Sequence, residues 1–147
     1  MPTLATNKQA FHDYDILSTY EAGIVLSGPE VKSARNGSIS LKGSYVSTHN
    51  EELWLLNAHI GTYAFAAPKH RPEPTQSRKL LLKKNEIRHI IGKLSATGLT
   101  VVPLKVYTAR NRIKLEIGIG RGRKTYEKRE LLKKRSIEKE IRQRLKR

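Results

Sequence analysis

The sequence contains no cysteine, so neither a disulfide framework nor a cysteine metal site is possible; the absence fits a reducing compartment. It has few acids to set against its bases, 13 Asp and Glu against 29 Lys and Arg, for a formal net charge of +16. A small chain of that balance points first to nucleic acid, with an anionic membrane surface as the rival partner. Long apolar runs are missing as well. Leu53-Trp54-Leu55-Leu56 is far too short to cross a bilayer. The opening MPTLATNKQAFHDYDIL has no charged-then-apolar leader pattern. Together these absences predict a soluble protein of the cytoplasm.

Signatures of catalysis are equally scarce. His12, His49, His59, His70 and His89 include no pair three to five residues apart with a third ligand nearby, so no metal is expected. Ser27, Ser33 and Ser38 lie in neither a nucleophile elbow nor a local triad pattern. GRGRKT at 120–125 lacks the spacing of a phosphate-binding loop, and no cofactor is expected. An RNA-acting enzyme would have to draw on His12 and Glu21 as an acid–base pair, a reading that no other motif supports.

What the chain does contain is alternation. Residues 11–27 mix aromatic and β-branched side chains and read as extended. Gly28-Pro29 breaks that run, and PEVKSARNG fits a short helix with proline in its first turn, Glu30 at the positive end and Asn36-Gly37 as the stop. Tyr45, Val46 and Thr48, a turn at His49-Asn50, and Leu53 to Leu56 form one hairpin signal. PKHRPEPTQS, residues 68–77, holds three prolines and reads as a loop. In 79–96, Leu80, Ile87, Ile91 and Leu94 fall on one face of a helical period, and Thr97-Gly98 ends it. A second hairpin follows, with Thr100 to Tyr107 on one arm, a turn at 109–111, and Ile113, Leu115, Ile117 and Ile119 alternating strictly on the other. The fold class expected is mainly β with flanking helices: a small antiparallel OB-like β-barrel over residues 1–120.

Residues 121–147 form a basic C-terminal tail. They carry 13 Lys and Arg against 4 Glu, a net of +9, so more than half of the excess charge lies in the last fifth of the chain. Tyr126, Leu131, Ile137, Ile141 and Leu145 make a thin stripe on a helical wheel. Self-repulsion favours disorder of the free tail, and a polyanion would let it fold as a helix. Gly118, Gly120 and Gly122 read as a flexible or tightly turning junction before it. A solvated charge run is the plain alternative.

Individual residues carry the same double reading. Glu21 is either an exposed strand residue or a carboxylate that accepts from base amino groups or ribose hydroxyls. His12, beside Phe11 and Tyr14, is either structural or a stacking residue, and Leu81 belongs to the core unless it sits at a rim where a splayed base could rest.

Beside these readings stands a series of ordered motifs. Asn7-Lys8 with His12-Asp13-Tyr14, Tyr20-Glu21-Ala22-Gly23-Ile24-Val25-Leu26, Glu30-Val31-Lys32-Ser33 with Arg35, and Arg78-Lys79-Leu80-Leu81-Leu82 with Glu86-Ile87 come in that order. Gly98 to Leu104 with Tyr107, Gly122-Arg123-Lys124 and Glu127-Lys128-Arg129 complete the series. In order and spacing this series resembles the SmpB family of SsrA-binding proteins. The resemblance implies an OB-type barrel that grips the tRNA-like domain of tmRNA, and a tail that enters the empty messenger channel of a stalled ribosome's small subunit. It implies tmRNA contacts at Glu21, Leu81 and Lys83, and within the shared motifs at Lys8, Lys32, Arg35, Arg78 and Lys79. His12, Gly122, Arg123, Lys124, Tyr126, Glu127, Lys128 and Arg129 would face the decoding centre and messenger path. Alanyl-tRNA synthetase and elongation factor Tu would act indirectly through tmRNA, and the protein would be a monomer without catalytic activity. Three departures stand out: Lys83 where the family usually has Asn or His, Glu127 where it usually has Asp, and Arg71-Pro72-Glu73-Pro74 in the 69–77 loop where a plainer Asp-Pro pattern is common.

Overall fold

The computed structural model describes residues 2–62, 73–96, 98–123, 133 and 135–143. Two hairpins set its frame. β8 (Leu99–Ala109) and β9 (Arg112–Gly122) turn at Arg110 and Asn111, and β4 (Tyr45–His49) and β5 (Glu52–Leu56) turn at Asn50 and Glu51. All four turn residues have positive φ, between 50° and 63°. That backbone twist matches two right-twisted strands joined by a two-residue loop, and asparagine is among the side-chain-bearing residues that tolerate it best.

The remaining strands join these hairpins into one antiparallel sheet. β1 (Thr3–Thr6), β2 (Tyr14–Ile24) and β7 (Arg78–Leu81) complete the order β1-β8-β9-β2-β7-β5-β4. β3 (Ile39–Ser40) and β6 (His59–Ile60) pair separately. The large sheet curls around a single principal core in which Ala22, Leu53, Leu80, Val106, Leu115 and Ile117 are buried. Among the described residues the ladder does not join β4 back to β1, so the architecture is an OB-like curled barrel with an open seam. The helix α3 (Lys84–Leu94) is inserted between β7 and β8, and its Ile90 is fully buried in that core. Lys93, near the end of α3, reaches Ser18 Oγ at 3.3 Å and the Tyr20 hydroxyl at 3.4 Å, tying the helix to β2.

The short helix expected after residue 28 is α2 (Gly28–Arg35). Ser27 Oγ accepts from Glu30 N at 3.3 Å, and Glu30 Oε1 accepts from Ser27 N at 3.0 Å. This reciprocal cap satisfies two amides that the first turn would leave without partners.

Three expectations are corrected. Residues 11–13 are not extended but close the helix α1 (Lys8–Asp13), which starts because Asn7 Oδ1 accepts from Ala10 N at 3.2 Å. The stretch 79–96 is not one helix: residues 78–81 form β7, and α3 starts at Lys84. Leu80 suits a helical period, but between β2 and β5 its strand gains two partners that local spacing does not reveal. Gly118 and Gly120 are not a hinge. They are buried mid-strand, where a Cβ on Gly118 would lie 2.9 Å from Leu104 Cδ1, and one on Gly120 would lie 3.1 Å from Tyr14 Cβ. They are small because a second apolar cluster, Ala10, Val102 and Leu104 with Phe11, Tyr14 and Ile16, packs there. β9 accordingly stays in the sheet through Gly122, two residues past the expected boundary.

Candidate nucleic-acid interface

β2 is the spine of the candidate interface. Its even-numbered residues around position 20 turn to the core, so Glu21 and Gly23 occupy the outer side of the sheet. On β9 the partners of these two are Glu116 and Lys114, and on β8 the partners of Glu116 and Lys114 are Lys105 and Tyr107. Two rows therefore cross three strands: Lys105, Glu116, Glu21 and, beside it, Tyr107, Lys114, Gly23. Like charges opposite one another on adjacent strands repel, and Glu116 and Glu21 are handled separately. Lys105 Nζ lies 3.8 Å from Glu116 Oε2, while the Tyr107 hydroxyl donates to Glu21 Oε2 in a very short hydrogen bond. Burial raises the Tyr107 phenol well above its ordinary pKa, and the carboxylates of Glu21 and Glu116 raise it further. At neutral pH it is a proton donor.

Leu81 sits opposite Gly23 on β7 and is 51% exposed. It is a rim residue rather than a core one. The missing side chain at Gly23 makes room for it: a Cβ there would meet Leu81 Cβ at 3.3 Å. Lys79, two residues back on the same outer side, pairs with Glu52 at 3.1 Å, both partly open to solvent. Beyond Leu81 the chain turns into α3. Lys83 is exposed at its head, and its backbone N donates to Glu86 Oε1 at 3.2 Å. A groove of about 640 Å³ runs between β7 and α3, with Leu81, Leu82 and Ile87 as apolar lining and Lys79, Lys84 and Arg88 among its polar lining.

Arg78 does not belong to this surface. Its side chain is 1% exposed and its guanidinium is committed inside the protein. Nε donates to Glu30 Oε2 at 2.7 Å, Nη1 to the Ala58 carbonyl at 2.8 Å, and Nη2 to the Pro74 carbonyl at 3.0 Å. An RNA phosphate cannot reach a cation so enclosed, so the expected RNA contact at Arg78 is corrected to an internal tie. Burial pushes the Glu30 carboxyl up, but the Ser27 amide, Arg78 and Gln76 together hold it below the ordinary glutamate range. Arg35 and Lys32 lie exposed on α2, where Arg35 Nη2 donates to the Asn111 carbonyl of the β8–β9 turn at 2.7 Å. Lys8 is exposed at the start of α1.

The other end of β2 gathers a different set. His12 Nδ1 lies 3.0 Å from Asp13 Oδ1, and Gln9 Nε2 donates to Asp13 Oδ2 at 3.0 Å. Gly122 pairs with Tyr14, and the Arg123 amide donates to the Asp13 carbonyl at 2.8 Å. Thus the start of the basic tail is fastened beside His12. Lys124, Tyr126, Glu127, Lys128 and Arg129 lie outside the described residues. Further along, residues 135–143 are helical, with Ile137 and Ile141 about half exposed. Tyr14 and Glu21 alone are seven strand steps apart, roughly 23 Å, so His12 and Glu21 cannot share a proton as an acid–base pair. Among the described residues no group of three His, Asp or Glu is placed to hold a metal ion, and no helix is long and apolar enough to cross a membrane.

Sequence reasoning missed Tyr107 as a partner of Glu21 and Glu30 as the partner of Arg78. The first had a usable signal. Strict alternation of Ile113, Leu115 and Ile117 places Lys114 and Glu116 on the outer side, and the hairpin register carries Lys105 and Tyr107 there with them. The second depended on a contact 48 residues apart, for which no local signal exists.

A model of the SmpB protein family matches residues 4–147. An SsrA-binding protein of Sulfurihydrogenibium is 51% identical over 138 residues, covering 94% of this chain and 90% of that protein. Another, from Coprothermobacter proteolyticus, is 48% identical over 143 residues, covering 97% and 95%. A solved structure described as "tmRNA-SmpB: a journey to the center of the bacterial ribosome" superposes with a TM-score of 0.68 at 44% identity, over 85% of this chain and 87% of that one.

Proposed function

The chain belongs to the SmpB family, and from that premise we propose that it binds the tRNA-like domain of tmRNA and delivers it to stalled ribosomes for trans-translation. It acts in the cytoplasm as a monomer and without catalysis of its own. Elongation factor Tu and alanyl-tRNA synthetase meet it only through the RNA. In this reading the molecule has two working ends. Glu21, Leu81, Lys83 and Lys79 on the outer side of the sheet grip the tRNA-like domain. Residues from Arg123 onward, starting beside His12, occupy the empty messenger channel and decoding centre of the small subunit.

The observation that carries this reading is the separation of those two sets along β2. The exposed Glu21–Leu81 surface and the Arg123 amide fastened to Asp13 stand at opposite ends of an eleven-residue strand. One end can hold an RNA while the other aims a chain segment elsewhere. The carboxylate suits donors on ribose and bases, and the surrounding cations suit phosphates. A +9 segment threaded among ribosomal phosphates gains neutralisation and can order as it binds.

The test compares the full chain with one stopped after Gly122, which keeps β9 whole. Labelled tRNA-like domain is titrated into each at two salt concentrations, with elongator tRNA as competitor, and tagging on stalled ribosomes is measured in parallel. Both forms are expected to prefer tmRNA strongly, and only the full chain to support tagging. If truncation abolishes tmRNA binding, or elongator tRNA competes equally, the tail is a general phosphate clamp and the two-ended reading fails.

A further inference from the structure

Glu21 is an unusual tool for holding a polyanion. A free glutamate on a strand samples several rotamers, and beside phosphates most of them bring repulsion without a donor to accept from. The structure removes that freedom at one point. Tyr107, only 6% exposed, donates its hydroxyl across β9 to Glu21 Oε2. Lys114 and Gly23 are the residues in register with Tyr107 on β9 and β2, and Gly23 puts no side chain in the way. The ring itself is covered by Lys105, whose Nζ lies 5.7 Å from its centroid while also approaching Glu116. Glu116 therefore has its own cation, and among the described residues Glu21 has only the phenol. No group among the described residues bonds Glu21 Oε1.

We propose that Tyr107 is a positioning residue for RNA recognition: its buried phenol holds the Glu21 carboxylate in one orientation, with Oε1 left to accept from a ribose hydroxyl or a base amino group. The proposal rests on the reading above that Glu21 contacts tmRNA. A phenol suits the task better than a cation. It bonds the carboxylate without adding a positive charge, so the other oxygen still offers negative charge to a donor on the RNA. Because burial and the two carboxylates make this phenol hard to deprotonate, it remains a donor to Glu21 well above neutral pH. Rigidity also serves discrimination. A fixed acceptor rejects an RNA whose donor lies elsewhere, whereas a mobile one adapts to it.

Tyr107→Phe removes the hydroxyl and keeps the packed ring. Binding of the tRNA-like domain of tmRNA is measured for wild type, Tyr107→Phe, Glu21→Ala and the double variant, with melting curves recorded to show that each is folded. Tyr107→Phe is expected to weaken binding by roughly two- to tenfold, the fold-change that accompanies immobilising one extra side chain. In the Glu21→Ala background, where no acceptor is left for the hydroxyl, the same change is expected to have no further effect. Scalar couplings of the Glu21 methylenes should pass from one rotamer to an average in Tyr107→Phe, a change that a merely structural tyrosine would not produce. Wild-type affinity of Tyr107→Phe, or an equal loss with and without Glu21, overturns the positioning role while leaving Glu21 in the interface. Wild-type affinity of Glu21→Ala instead overturns the assignment of Glu21 to the RNA grip, and the proposal falls with it.

Discussion

The two sides of β7 differ more than their sequence does. Arg78 and Leu80 turn inward and are buried, while Lys79 and Leu81 turn outward and meet solvent. Arg78 and Lys79 are consecutive cations, and composition counts them alike. One is spent on three internal partners and the other remains within reach of an RNA. The same contrast separates Glu30, enclosed by Arg78 and Gln76, from Glu21 on the outer surface. A net charge of +16 thus overstates the cations available at the interface. In a strand, the period of two decides which charges build the protein and which ones it offers to a partner.

Breaking the inner side should give the largest effect. Arg78→Ala leaves the Glu30 carboxylate buried without its cation and the Ala58 carbonyl without its guanidinium donor, while the Pro74 carbonyl keeps only the Ile60 amide. It is expected to cost about 3–5 kcal/mol in urea denaturation. Lys79→Ala removes only a solvent-screened pair, worth at most about 1 kcal/mol, yet should lower RNA affinity and reduce the salt slope of binding by about one. The comparison collapses if Arg78→Ala melts like wild type and loses RNA affinity directly.

Acid should find the same weak point. The Glu30 carboxyl has a folded pKa below its unfolded value of about 4.3. Its contribution to stability is therefore complete above that unfolded value and is lost as pH falls through the lower folded pKa. Melting curves from pH 6 down to pH 3 should show a drop in this window. A Glu30→Gln variant is expected to be less stable at pH 6 and to show a shallower drop. A parallel decline of variant and wild type would assign the acid sensitivity to other carboxylates.

The glycines of β9 test a different boundary, between a packed strand and a hinge. Gly118→Ala places a methyl within 3.0 Å of both Leu104 and Ile16, whose positions are fixed by the second apolar cluster. Overpacking of this kind costs about 1–3 kcal/mol, measurable as a lower melting temperature. A flexible junction would instead accept alanine freely, or gain from it.

These glycines also show where the sequence stops being legible. Both hairpins, α2 with its cap, and the outer placement of Glu21 follow from periodicity and turn chemistry, which are local. Gly118 and Gly120 look like punctuation until Leu104, Tyr14 and Ile16 arrive from elsewhere in the chain. Leu80 satisfies a helical stripe with Ile87 and Ile91 as well as it satisfies a strand, and only pairing with β2 and β5 decides between them. α1 was legible in principle, since Asn7 is a strong cap residue, but the aromatic residues beyond it suggested a strand. At the interface, motif order pointed to Glu21, Leu81 and Lys83. It could not distinguish Arg78 from Lys79, because burial is a property of the assembled sheet.

The smallest predicted effect separates stability from binding at a single outward residue. Lys83 occupies the cap position of α3 with extended backbone geometry, φ −68° and ψ 148°, and its side chain makes no capping bond. Glu86 N is served instead by the neighbouring Asn85 Oδ1 at 2.9 Å. An asparagine at 83 would present its own oxygen to the first turn, where it is among the best cap residues. Lys83→Asn is therefore expected to raise stability by about 0.5 kcal/mol, the low end of the capping range because Asn85 already meets part of the need. It also deletes a cation from the head of the groove. Binding of the tRNA-like domain should weaken at low salt and its salt slope should fall by about one, so that the two curves converge at high salt. Opposite signs in the two measurements would identify Lys83 as a phosphate contact held at some cost to the helix. An unchanged slope would mean that its charge never reaches the RNA, leaving Lys79, Lys84 and Arg88 to supply the cations on this side.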